Sequence, residues 1–218
     1  MKQEKFDHVT NIITVFLLGI TTLLTSYASW QSSLYSGQQS SKYTQATTIL
    51  SESNSLYNQA AQLLENDMNV YNEILNMNYD IEYARKSNNE AETKRLEDKL
   101  AMYEKNNVST DLKTAIDWAK TQPEGTTPFA SQDLMDSYYN DAKIKKDEGT
   151  ALLNSGQEDN SHSDVLGLST VIYSTVLFLL GLMSSIKSSK LKVTMLIFSG
   201  ILVVYAAALM FSVPMLNL

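Results

Sequence analysis

Long uncharged runs alternate with long polar runs along this chain. No Asp, Glu, Lys or Arg occurs from Val9 to Ser41, from Val165 to Ile186, or from Val193 to Leu218. The hydrocarbon layer of a bilayer, about 30 Å thick, takes roughly 20 helical residues to cross. Val9–Ala28 and Val193–Val213 reach that length, and Leu166–Met183 reaches it with its uncharged margins. A backbone in lipid must satisfy its own hydrogen bonds, so each run predicts a transmembrane helix. A cleaved signal peptide is the competing reading of the first run, permitted by Lys2, Lys5 and the small residues Ser26 and Ala28. Its apolar core exceeds the about 7–15 residues such a peptide carries. A buried hairpin of a soluble protein competes for the other two, and their length and lack of charge argue against it.

The polar middle has helical periodicity and little Gly or Pro. Tyr43, Leu50, Tyr57, Leu64 and Tyr71 recur seven apart, with Ala46, Ala60, Ala61, Met68, Ile74 and Leu75 as companions and Ser53 and Asn54 as interruptions. That spacing predicts one long helix with an apolar seam, as coiled coils and helical hairpins require. The helix is expected to continue from the first span, with only Gly37 to interrupt it. A second helix is predicted over 91–104, with Leu96, Leu100 and Tyr103 on one face and a Glu90–Lys94 pair. A third begins after Ser109 or Thr110 and points Leu112, Ala115, Ile116 and Ala119 inward. Residues 121–130 hold two of the three prolines and predict a loop. A fourth helix starts near Ser131, and Ala142, Gly149 and Gly156 form a small-residue strip along it.

The fold class is therefore all-α: three transmembrane helices and a long antiparallel, coiled-coil-like helical domain. The predicted divisions are 1–36 for the tail and first span, 37–164 for the soluble helical domain, and 165–218 for a two-span hairpin. The simplest assembly is an antiparallel helical layer on the membrane.

Charge adds the orientation. The chain's net charge is −7, and its mean hydropathy of −0.18 suits a soluble protein. Resolved by position, the charge is zero in the first ten residues, −10 over 42–164 and +3 over 187–192. Basic residues near span ends mark the cytoplasmic side. Lys2, Lys5, Lys187, Lys190 and Lys192 lie on one side and Lys42 alone on the other. The N-terminus and residues 187–192 are thus expected in the cytoplasm, and residues 37–164 outside it. Tyr27, Trp30 and Tyr35 fit an interfacial aromatic belt.

No motif for chemistry accompanies this layout. The chain has no Cys and two His, with His8 and His162 on opposite predicted sides of the membrane. Nucleotide-binding, metalloprotease and serine-hydrolase motifs are missing. The carboxylates read as solvated helix faces, and no EF-hand spacing occurs. The acidic domain argues against nucleic-acid binding. No catalytic, cofactor-binding or metal-ligating residue is therefore named, and no cofactor is expected. Asn107-Val108-Ser109 is a formal glycosylation triplet. The spans hold no ionisable residue, unlike most ion-coupled transporters. Their hydroxyls are expected to bond to their own helices or to neighbours, and Gly19, Gly181 and Ser199-Gly200 to be close-packing points.

Ser36-Gly37-Gln38 with Trp30, Tyr35 and Tyr43, then Pro128-Phe129-Ala130, then Asn160 and Asp164, complete a recognisable layout. In these the chain resembles a group of uncharacterised prokaryotic membrane proteins with one N-terminal span, a helical domain and a C-terminal two-span hairpin. That group tends to have Arg at the position of His162, and more Trp and Pro in the central helices. The resemblance implies the architecture and no activity.

Two functions follow as expectations. One is a non-enzymatic integral membrane protein whose helical ectodomain mediates oligomerisation, as a homo-oligomer, or binds a protein partner. The alternative is a subunit of an oligomeric ion channel or pore with an acidic outer vestibule.

Overall fold

The computed structural model describes residues 2–216, and side chains from His8 onward; the predicted roles of Lys2 and Lys5 fall outside the described side chains. The described residues are all-α, without strands: α1 (Lys2–Lys86), α2 (Glu90–Asn107), α3 (Thr110–Ala119), α4 (Gln132–Leu182) and α5 (Ser189–Ser212). Three helices, α1, α4 and α5, are long and apolar enough to cross a membrane. The first predicted helix indeed runs unbroken from its apolar part through Gly37 to Lys86.

Local chemistry accounts for the ends. Asn88 takes a left-handed φ of 51° that Asn tolerates, and Asn89 caps α2 by accepting from the Glu92 amide at 3.2 Å. Ser109 caps α3, and the Leu112 amide donates to it at 3.1 Å. Gly125, at φ 87°, turns the proline loop, and Pro128–Ala130 forms a 3-10 turn before α4. On α2, Arg95 pairs with Glu92 at 2.6 Å and Glu97 pairs with Arg85 of α1, while the expected Glu90–Lys94 pair does not form.

The chain divides into two compact units. One comprises Met1–Ala46 with Ala151–Leu218, the other Thr47–Thr150. Polarity divides the sequence at 36/37 and 164/165, whereas packing divides it within the polar helices.

In the first unit, the membrane unit, Tyr173, Val176 and Leu180 of α4 pack with Val203, Ala206 and Met210 of α5 and Ala28 of α1. The α1 and α4 segments run antiparallel: Ser32 meets Ser163 at 3.0 Å, and Lys42 meets Asp159 at 2.6 Å. A Cβ added to Gly156 would stand 2.6 Å from the Tyr43 ring. Of the expected close-packing points, Ser199 is fully buried, whereas a Cβ at Gly19, Gly181 or Gly200 would meet nothing within 4 Å. A small residue permits close approach but does not compel it. Gly156→Ala should therefore lose about 1–3 kcal/mol through overpacking. Gly19→Ala should lose nothing, with thermal melts of the solubilised protein as the measurement. Equal melts for the two variants would contradict the packing argument.

In the second unit, the helical unit, Val70 and Ile74 of α1 pack with Leu112 and Ala115 of α3 and Leu134 of α4. The seam on α1 differs from expectation. The expected companions Ala60 and Ile74 are buried, in a series with Ser53, Asp67 and Ile81 that again recurs every seven residues, and Val70, Met77 and Ala84 are buried beside it. Tyr57, Met68 and Leu75 are instead 57%, 45% and 36% exposed. Ser53, expected as an interruption, lies at the seam's centre, because its hydroxyl donates to the Ala142 carbonyl at 2.7 Å. A small polar residue with a backbone acceptor lets two helices approach where a Tyr would hold them apart.

Candidate functional site

Two polar clusters and one apolar stripe stand out. The first cluster lies in the membrane unit, around the end of α5. The Gln31 side-chain amide donates to the Leu216 carbonyl at 3.0 Å and accepts from the Leu216 amide at 3.0 Å. The Tyr35 hydroxyl donates to the Pro214 carbonyl at 2.6 Å. These bonds satisfy backbone groups of the segment that follows α5, which no helix pairs. Tyr35 is therefore buried rather than part of an aromatic belt, while Tyr27 and Trp30 remain part-exposed and stack on each other.

Next to this latch, Ser36 and Ser32 share Ser163 at 2.8 and 3.0 Å. The His162 ring stands edge-on to the Tyr35 ring, and its Nδ1 is buried without a hydrogen-bond partner. Lys42 ion-pairs with Asp159 and donates to the Ser155 hydroxyl at 2.9 Å. Sequence reasoning counted Lys42 only for topology and missed Gln31 and Asp159. One signal was available: between Lys42 and Arg85 the chain has no base, so Lys42 is an isolated cation.

Along the spans the hydroxyls bond to their own helix backbones. Thr14 donates to Thr10 at 2.8 Å, Thr21 to Leu17 at 2.7 Å and Ser169 to Val165 at 3.0 Å. The Tyr173 hydroxyl and Ser199 Oγ are buried without such a partner.

The second cluster is in the helical unit. Asp67 of α1 is buried and accepts from the Tyr138 hydroxyl of α4 at 2.5 Å and from Ser109 at 3.1 Å. Burial, then the bond to Asp67, holds the Tyr138 phenol well above its ordinary value. Three helices are thus tied to one carboxylate. Ser109, the last residue of the formal glycosylation triplet, is engaged both as this donor and as a helix cap. Farther along the chain, Asn160 bonds Asp164 at 3.1 Å, and Phe129 meets Tyr71 edge-on.

The stripe lies on the exposed side of α1 in the helical unit. Met68, Leu75, Tyr79 and Tyr83 are 45%, 36%, 69% and 76% exposed. Their spacing of 7, 4 and 4 residues places them on one face.

All-helical, with three helices fit to cross a bilayer, the chain has the build of a multi-pass membrane protein. No family model, no curated protein and no solved structure matches it.

Proposed function

We propose that this is a non-enzymatic integral membrane protein whose helical unit docks other protein chains, as further copies of itself or as a partner. The exposed stripe of Met68, Leu75, Tyr79 and Tyr83 carries this reading. Leu63, Met102 and Ile144 are also exposed in this unit, but exposed apolar side chains that line up on one helix face mark an interaction surface. The two polar clusters support the same reading, since their bonds join helices to one another or latch the C-terminal residues. The Lys187, Lys190 and Lys192 turn supports an orientation with the N-terminus and that turn cytoplasmic and residues 37–164 extracytoplasmic.

The absence of cysteine makes a clean test available. Tyr79→Cys introduces one thiol on the stripe. A membrane-impermeant maleimide should label it in intact cells, and a photo-activated cross-linker on it should capture a protein chain in native membranes. Labelling only after permeabilisation would overturn the orientation. Efficient photoactivation without any protein adduct would overturn the docking reading.

A further inference from the structure

The stripe also has a charge environment. From Tyr43 to Ala84, α1 contains six acidic residues and no basic one. Asp67 is buried, so five carboxylates remain toward the surface of this stretch. Glu65 and Glu82 lie on opposite flanks of the line from Met68 to Tyr83 at 100° per residue, with Asp80 farther round on the Glu65 side, and Lys86, just past the end of the line, pairs with Glu82 at 3.9 Å. The arrangement is an apolar ridge between acidic margins, at the heptad-like step of Met68 to Leu75 and the four-residue step to Tyr79.

We infer that the stripe is a docking site for an amphipathic helix of a partner protein whose apolar face is flanked by Lys or Arg. This rests on the docking reading above and names the partner's chemistry. The ridge repeats at helical spacing, which a second helix matches with its own apolar face. Flanking charges set partner choice: opposite signs steer and hold, and like signs facing each other are penalised. Two copies meeting stripe to stripe would bring their acidic margins together. Anionic lipid headgroups and nucleic-acid phosphates meet the same repulsion. A cationic helix buries Leu75 and Tyr79 while facing Glu65, Asp80 and Glu82.

The test uses the full chain in phosphatidylcholine nanodiscs, with empty discs subtracted. Two synthetic helical peptides of roughly 20 residues share one Leu face, flanked by Lys in one and by Glu in the other. The Lys peptide is expected to bind saturably and at least about tenfold more tightly than the Glu peptide. Leu75→Ser with Tyr79→Ser should weaken it about tenfold, with unchanged far-ultraviolet circular dichroism. Glu65→Gln, Asp80→Asn and Glu82→Gln together should erase the preference between peptides. Equal affinity of the two peptides for the wild type overturns the charge assignment and leaves docking standing. Lys-peptide binding that the Leu75 and Tyr79 changes do not weaken overturns the stripe as its site. A cross-linker on Tyr79→Cys that captures only a second copy of this chain overturns the partner assignment. Failure of the docking reading itself is a separate result: no adduct at all from that cross-linker in native membranes.

Discussion

Lys42→Ala should lower the stability of the membrane unit by about 3–5 kcal/mol, the loss expected when one partner of a buried ion pair is removed. The Asp159 side chain is only 8% exposed, and Lys42 Nζ stands 2.6 Å from its Oδ2. Without Lys42, a carboxylate stays buried with no cation beside it. The Ser155 hydroxyl, which accepts from Lys42 in the native protein, cannot supply the missing charge. The pair itself is a weaker contributor than this loss suggests, because bringing it out of water offsets most of its attraction. Lys42→Met combined with Asp159→Leu should therefore recover most of the stability that Lys42→Ala loses. Thermal melts of the solubilised variants decide the matter. A single variant within about 1 kcal/mol of wild type would mean that water already screens the pair.

Asp67→Ala is the second large expected effect, at about 3 kcal/mol for two bonds made to a charged acceptor. Its removal strands the Tyr138 hydroxyl and takes away the acceptor that orients Ser109, so the cap on α3 weakens too. Asp67→Asn keeps an acceptor and loses the charge, and should fall between Asp67→Ala and wild type. Trp118 of α3 gives a local readout by fluorescence during denaturant unfolding, in a Trp30→Phe background that removes the other Trp. Coincident unfolding curves for Asp67→Ala and wild type would refute the role assigned to Asp67. The pH dependence has a definite sign. A phenol raised in the folded state contributes stability that is fully present below its unfolded value, near 10, and is lost only as pH climbs through the raised folded value. The Asp67→Ala deficit attributable to Tyr138 should thus be flat through neutral pH and shrink only in strong alkali.

Sequence alone determined the elements and the membrane segments. An uncharged run in lipid has only one way to satisfy its backbone, and helix spacing, caps and prolines act over a few residues, all visible in the chain. The Ser109 cap and the loop before α4 were legible for that reason, as was the continuity of α1 through Gly37. Which face of α1 goes inward was legible only in part: the expected companions Ala46, Ala60 and Ile74 are buried, whereas Tyr57, Met68 and Leu75 are exposed. The Tyr43 and Ser53 series both recur every seven residues, and hydrophobicity favours the first. Tertiary packing selected the second, because Ser53 finds the Ala142 carbonyl and Asp67 finds Tyr138 and Ser109, partners up to 89 residues away. Polar residues become core residues only when a distant acceptor or donor meets them, and nothing local announces it. The same selection turned Met68, Leu75, Tyr79 and Tyr83 outward. The chain's pattern showed that a seam exists; only the assembled helices decided which residues fill it and which stay exposed.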